Sequence, residues 1–219
     1  YPSRKLTHPI FKKYAKKVGA DFLQLDHEPP SDSGDGRPHY RIFKHKELHE
    51  TYDRILHLDS DALMLPSFPN IFKTVPYEKI GTIYEDKGSR RFIRRETLFS
   101  AQNKFGWVNL REGYFNTGCF LTSKIHKDIF SPVDGHYWQG FGSDDVLLAY
   151  NTKKLGFEVH ELSYKFNHTT MFSEPWNDEA DRFKSHLIHY AGRGIFDSEV
   201  ANRLAQIKAD YKKVYPDGI

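Results

Sequence analysis

Apolar residues fall at helical spacing in some stretches of the chain and in short bounded runs in others. Ile10, Phe11, Tyr14, Ala15 and Val18 make the stripe of a helix from about His8 to Val18, which Thr7 can cap and Gly19 stops. Asp21 to Asp26, with Phe22, Leu23 and Leu25, reads as a short strand. Residues 27–38 form a polar loop rich in Pro, Gly, Ser and Asp. Asp32 and Asp35 hint at calcium there, but their spacing and a missing twelfth-position Glu argue against an EF-hand. Tyr40 to Glu50 reads as a helix and Arg54 to Leu58 as a strand. Further strands are expected at Ile80–Tyr84, Tyr114–Leu121 and Phe157–Leu162, and Leu187–Tyr190 is a short apolar run ending in Ala191-Gly192-Arg193-Gly194. Ser143 can cap a helix over Asp144–Leu155 that Gly156 ends, and Asp197 to about Tyr211 makes a closing helix. Residues 85–113 show no clear period and are expected to form a long functional loop or lid.

Strands alternate with helices in the first half. That order predicts an α/β fold with a mostly parallel central sheet flanked by helices, in which ligands bind at the carboxyl ends of strands. Two aspartates stand at such an end. The run Arg54-Ile55-Leu56-His57-Leu58 delivers Asp59-Ser60-Asp61 into a short break, and Ala62-Leu63-Met64-Leu65 turns apolar again. Side chains alternate along extended backbone, so Asp59 and Asp61 share a side. Two carboxylates converging in a low dielectric repel each other, and a divalent cation removes the conflict. Hard oxygen ligands suit Mg²⁺ or Mn²⁺, which in turn hold phosphate oxygens. The alternative is that Asp-Ser-Asp is a solvated turn.

Composition narrows the class. A chain of 219 residues is expected to be one domain (1–219), and without a starting Met it reads as a possible piece of something longer. No run approaches the ~20 apolar residues that cross a bilayer, and no secretory signal precedes Tyr1-Pro2-Ser3-Arg4-Lys5. Cys119 is the single cysteine, so an intramolecular disulfide is excluded. That fits a reducing compartment, and a cytoplasmic location is expected. The net charge of +3 gives no support to a nucleic-acid partner. The cluster Lys87, Arg90, Arg91, Arg94 and Arg95 is either a solvated surface or a contact for an anionic substrate. Asn167-His168-Thr169 matches a glycosylation sequon, a triplet that also arises by chance. No internal repeat or low-complexity segment stands out.

Five segments gain meaning when taken in order: Tyr40-Arg41-Ile42, Leu58-Asp59-Ser60-Asp61, Phe115-Asn116-Thr117-Gly118, Ser143-Asp144-Asp145-Val146-Leu147 and His189-Tyr190-Ala191-Gly192. Together they resemble the motifs of GT-A glycosyltransferases, in particular the glycogenin-like and galactosyltransferase-like family 8 group. That group carries an Arg-Leu pair on a helix, then Leu-Asp-x-Asp, Phe-Asn-x-Gly, Asp-Gln-Asp-x-Leu and His-Phe-x-Gly. The resemblance covers roughly residues 38–195. A looser likeness extends to glycosyltransferase domains of large algal viruses.

The resemblance implies a GT-A, Rossmann-like fold and a UDP-sugar donor whose hexose passes to a carbohydrate or glycoprotein acceptor. Asp59, Asp61 and His189 would ligate Mn²⁺ or Mg²⁺. Arg41, Ser60, Asn116, Gly118, Gly192 and Arg193 would line the donor site, and Asp144 and Asp145 are the catalytic candidates without fixed roles. Bland readings stand beside each. His189 also suits a core histidine, with His186 as the competing ligand. Arg41 also suits a surface salt bridge, Asn116 a turn, and Asp144 and Asp145 a helix N-terminus. Tyr137, Trp138, Phe141 and Trp176 are offered either as stacking surfaces for an acceptor sugar or as packing.

The chain departs from the family pattern at three points. Asp144 replaces a Gln and Ser143 an Asp. Ile195 stands where the family has a phosphate-gripping Lys, leaving Arg193 as substitute. The strand that contacts the nucleotide base is not found ahead of Tyr1, as if it lay upstream. Two rival readings remain: a haloacid-dehalogenase-like phosphatase using an Asp nucleophile, and a non-catalytic nucleotide-sugar-binding domain.

Overall fold

The computed structural model describes residues 2–29 and 38–219; Asp32 and Asp35 lie outside the described residues. The chain forms two compact units. One comprises Tyr1–Leu23, Leu58–Ile71 and Leu162–Ile219, the other Gln24–His57 and Phe72–Glu161.

In the first unit, helix α1 (Arg4–Val18) buries Thr7, Ile10, Phe11, Tyr14 and Ala15, the stripe its spacing predicts. It begins before the expected His8. Thr7 is inside the helix rather than capping it, and its hydroxyl donates to the Ser60 carbonyl at 2.9 Å. Tyr14 fixes the other end of the contact. Its ring meets Phe68 edge-on at 5.1 Å, and its hydroxyl donates to the Pro69 carbonyl at 3.0 Å. Strand β2 (Ala62–Met64) pairs antiparallel with β6 (Leu187–His189), with Ala62 opposite His189. Both strands are fully buried, so the short ladder is held by apolar burial worth about 1.5–3 kcal/mol for each large side chain. Helix α6 (Arg203–Val214) closes the unit, capped by Asn202, whose side chain accepts from the Ala205 N–H at 3.0 Å. It starts six residues later than the pattern predicts. Asp197 is instead drawn out of any helix by a paired contact with Arg182, 2.6 Å at Nη2 and 3.0 Å at Nη1.

The second unit is built on a mixed four-stranded sheet in the order β1 (Arg54–Leu58), β4 (Phe115–Ser123), β3 (Lys79–Tyr84), β5 (Glu158–Glu161). Strand β3 runs antiparallel to β4 and parallel to β5. All nine residues of β4 are buried, and helix α5 (Ser143–Lys154) contributes Val146, Leu147, Leu148, Ala149 and Tyr150 to the same core. The α/β class expected from the sequence is present.

Three expectations need correction. Asp21–Asp26 forms no strand: Leu23 is exposed and the segment has no ladder partner. The helix expected over Tyr40–Glu50 is a 3-10 segment, Pro38–Lys44, followed by the single turn α2 (His45–Leu48). The presumed lid at 85–113 contains the fifteen-residue helix α4 (Arg91–Phe105), anchored by Thr97, Leu98, Ala101 and Gln102. Its period was masked because Phe92, Ile93 and Phe99 point outward. Gln102 then pins the chain that follows, bonding both the N–H and the carbonyl of Leu110 at 2.8 Å. No helix among the described residues is long and apolar enough to cross a membrane.

Candidate functional site

The β2–β6 register is what gathers the acidic turn and the histidine. Residues 59–61 lead into β2, where the Ala62 N–H donates back to the Asp59 carbonyl at 3.1 Å. On the partner side, the Tyr190 N–H donates to the Asp61 carbonyl at 3.0 Å. His189 Nε2 thereby stands 3.4 Å from Asp59 Oδ2 and 3.5 Å from Asp61 Oδ1. The ligand atoms of all three residues lie within 4.8 Å of one another, the one such group of three among the described residues. His186 does not compete. Three residues away on extended backbone it faces elsewhere, with its Nδ1 against the Ser67 hydroxyl at 3.3 Å.

The imidazole is held by its far nitrogen. His189 Nδ1 lies 2.9 Å from Asn167 Oδ1, which accepts only, so Nδ1 carries the proton and Nε2 is aimed at the carboxylates. Asn167 is positioned by a segment running beside β6: the His168 N–H donates to the Leu187 carbonyl and the His189 N–H to the His168 carbonyl, both at 2.9 Å. Asn167, His168 and Thr169 are fully buried, so the sequon they spell presents no glycan acceptor in the folded chain. Burial resists a charge on His189, but hydrogen bonds and proximity to Asp59 and Asp61 outweigh it and raise its pKa to about 10. The two carboxylates are therefore balanced by cations. One is the imidazolium. The other is Arg203, the first residue of α6, whose Nη1 donates to Asp61 Oδ2 at 2.7 Å.

The donor set fits a hard or borderline divalent ion. It offers two carboxylates and one imidazole nitrogen, with the imidazole oriented by a hydrogen-bonded amide as metal-bound histidines commonly are. Asn167 and Arg203 escaped the sequence reading. Asn167 had registered only as a sequon, and Arg203 lies fourteen residues beyond His189 with no motif around it. Gly192 and Arg193 are exposed on the turn after β6.

Of the remaining predicted residues, Arg41, Asn116, Gly118, Asp144 and Asp145 belong to the second unit. Thr117 on β4 organises the Asp144–Asp145 pair at the start of α5. Its N–H donates to Asp145 Oδ1 at 2.8 Å, and its hydroxyl lies 2.8 Å from Asp144 Oδ2 and 2.9 Å from Asp145 Oδ1. One hydroxyl proton cannot serve both carboxylates. The arrangement is complete when one carboxyl is itself protonated. Burial, then the charges of Asp144 and Glu85, raise the Asp145 pKa well above the carboxylate range and put the proton there. Gly142 is required at the entry to α5: its φ is +80°, and a Cβ would lie 1.9 Å from the Tyr114 hydroxyl.

Asn116, on β4, accepts through Oδ1 from the Gly118 N–H at 3.0 Å. Arg41 Nε donates to the His27 carbonyl at 2.7 Å. The basic cluster is largely occupied internally. Lys87 pairs with Glu161, Arg90 and Arg94 with the buried Glu85, and Arg95 with Asp86 and Glu112. Tyr137 and Trp138 are buried in the core, whereas Phe141 and Trp176 are exposed.

No protein-family profile and no curated protein sequence matches the chain. Solved structures do align with it. The apo structure of the WbbM bifunctional glycosyltransferase matches with a TM-score of 0.53 and 16% identity over 79% of this chain and 35% of that one. Mouse xyloside xylosyltransferase 1, also apo, gives 0.44 and 16% over 68% and 63%. The galactosyltransferase LgtC, in complex with donor and acceptor sugar analogues, gives 0.48 and 16% over 82% and 67%. The chain spans less than two thirds of the first two proteins. The WbbM likeness shows that this chain has a glycosyltransferase fold of the α/β, GT-A type.

Proposed function

We propose that this chain is a metal-dependent glycosyltransferase that moves a hexose from a UDP-sugar to a carbohydrate or glycoprotein acceptor. The observation that carries this reading is the Asp59–Asp61–His189 cluster, oriented by Asn167, in a chain of glycosyltransferase fold. These three residues would hold Mn²⁺ or Mg²⁺. The ion supplies charge neutralisation at the departing nucleotide diphosphate. Asn167 keeps the His189 tautomer that presents Nε2. Arg203 adds a positive charge beside the ion, where phosphate oxygens would lie, and takes the part first offered to Arg193 and missing at Ile195. Ser60 is fixed through its carbonyl by Thr7, so the acidic turn is rigid before any ligand arrives.

Asp144 and Asp145 would share one proton, both lying against the Thr117 hydroxyl and Asp145 having its pKa raised by burial. Such a pair suits hydrogen bonding to hydroxyls of the transferred sugar through the carboxyl oxygens that do not face Thr117. Arg41, Asn116, Gly118 and Gly192 remain donor-site candidates, and a single domain facing the cytosol remains the working arrangement. The narrower family 8 likeness rests on the five motifs. The phosphatase alternative is disfavoured because a nucleophilic Asp needs a carboxylate free to attack, and both Asp59 and Asp61 face His189 Nε2.

Titration calorimetry with UDP and UDP-glucose, in Mn²⁺ and then in EDTA, tests the proposal. Metal-dependent binding in the micromolar range, lost in Asp61→Asn with the fold intact, is expected. Equal UDP affinity in Mn²⁺ and EDTA, or in Asp61→Asn and parent, would overturn it. Binding without transfer to any acceptor would leave the non-catalytic domain as the better reading.

A further inference from the structure

Helix α1 has two faces with different tasks. The inner one carries Thr7, which holds the acidic turn through Ser60, together with the buried stripe. The outer one carries Arg4, Lys5, Lys12, Lys13, Lys16 and Lys17, all exposed. At 100° per residue, Lys5, Lys12, Lys13 and Lys16 fall within a band about a quarter of the circumference wide, flanked by Arg4 and Lys17. No ion pair joins any of the six to an acid among the described residues. The helix contains no Asp or Glu.

The charge is segregated, not merely high. The whole chain has 32 Lys and Arg against 29 Asp and Glu. Six of the basic residues and none of the acidic ones are in α1, so the rest of the chain is net negative. An anionic surface would attract this helix and repel what remains, which orients the encounter.

We propose that the outer face of α1 is an electrostatic docking surface for anionic phospholipid headgroups, with the helix lying along the membrane plane. Three features select a lipid surface. The cations are lysines in five of six positions, and lysine acts as a point charge suited to a diffuse anionic layer, where arginine would mark bidentate phosphate or base recognition. The aromatic groups beside this face, His8 and Phe22, are half-buried and pack edge-on against each other at 5.5 Å, with Lys12 over the Phe22 ring at 5.4 Å, so they are already engaged and do not form an open stacking platform for bases. The apolar stripe is already used in the core, so attachment by this helix is electrostatic and rests on a row of charges about 20 Å long.

Co-sedimentation with vesicles of phosphatidylcholine containing roughly 30% phosphatidylserine tests this. Binding is expected at low salt and is lost as salt rises, because screening shortens the Debye length from ~10 Å at 0.1 M toward ~3 Å at 1 M. The quadruple variant Lys5→Gln, Lys12→Gln, Lys13→Gln, Lys16→Gln is expected to bind at least a hundredfold more weakly, since each lysine contributes roughly fivefold. The matching Lys→Arg variant is expected to bind like the parent. A urea unfolding midpoint like the parent's certifies that either variant is folded, without reference to metal binding or turnover. Absence of sedimentation with the anionic vesicles at low salt overturns the proposal. So does equal binding to pure phosphatidylcholine, parent-like binding by the quadruple Gln variant, or tighter binding to an oligonucleotide than to the vesicles.

Discussion

Asn167 offers the sharpest test of how the site is organised. Replacing it with leucine keeps the volume near that of the amide and removes the oxygen that accepts from His189 Nδ1 at 2.9 Å. Both residues are buried, Asn167 at 0% and His189 at 3% exposure, so water does not readily replace the lost partner. A buried donor left unpaired costs about 1–3 kcal/mol. The ring is then free to rotate or to move its proton to Nε2, and either change removes a ligand from the cluster. Loss of such an outer partner weakens metal binding about 10- to 100-fold, or roughly 1.4–2.7 kcal/mol. Asn167→Asp should behave oppositely. It keeps the acceptor, adds negative charge and makes the imidazole a better donor to a cation. Calorimetric titration of Mn²⁺ alone into the parent and both variants measures the affinities. The imidazole ¹⁵N shifts report the tautomer, and urea midpoints show that each variant is folded. If Asn167→Leu binds Mn²⁺ as tightly as the parent while folded, Asn167 does not orient the ligand and the assignment of His189 weakens with it.

Three other outcomes are expected. Arg203→Ala removes a cation from Asp61, so Mn²⁺ alone should bind about fivefold tighter, the scale of a partly exposed ion pair, while UDP in the presence of Mn²⁺ binds more weakly; no change in either titration would refute the placement. His168, between the Ser185 and Ser173 hydroxyls at 2.7 and 2.9 Å, has its pKa lowered by burial from 6.5 to about 4. Its depressed pKa gives stability that is full above pH 6.5 and lost as pH falls toward 4, about 3 kcal/mol in all, read from urea unfolding between pH 7.5 and 4 and flattened in His168→Gln. Asp145 has the opposite sign: its raised pKa makes the folded state lose about 1.4 kcal/mol per pH unit as pH climbs above the unfolded value of 3.8, until Asp145 itself ionises. Asp145→Asn, which can still accept from the Thr117 N–H, should therefore gain stability at pH 8 but not at pH 4, and equal shifts at both would refute a shared proton.

Where local pattern and burial agreed, the elements were legible. Strand β1 runs Arg54–Leu58 as its apolar run predicts, and α1 buries the stripe Ile10, Phe11, Tyr14, Ala15. The metal candidates were legible as an acidic break after an apolar run, but residues 59–61 form a turn closed by the Ala62 N–H on the Asp59 carbonyl at 3.1 Å, so extended-strand alternation is not what brings Asp59 and Asp61 together; His189 ends the apolar run that pairs with β2. Helix α4 was hidden because four buried residues compete with outward aromatics in the same window. The supporting partners were hidden for a deeper reason. Asn167 reaches His189 only through a bridge between His168 and Ile188, and Arg203 reaches Asp61 across 142 positions of sequence. Such contacts follow from register and chain reversal, which leave no periodic mark.

The two acidic pairs began as similar-looking signals, Asp-Ser-Asp and Ser-Asp-Asp, and their surroundings separate them. Asp59 and Asp61 face a buried imidazole and a guanidinium, so their charges are met by positive groups, one of them a ring whose Nε2 proton a metal ion can displace. Asp144 and Asp145 have a threonine hydroxyl and N–H as neighbours and the acidic Glu85 nearby, so their repulsion is relieved by keeping a proton. A divalent ion gains most where fixed anions already converge with a nitrogen ligand, and a retained proton is most useful where hydroxyl groups must be bound. Under the proposed function, the first pair would hold the ion and the second would bind hydroxyl groups.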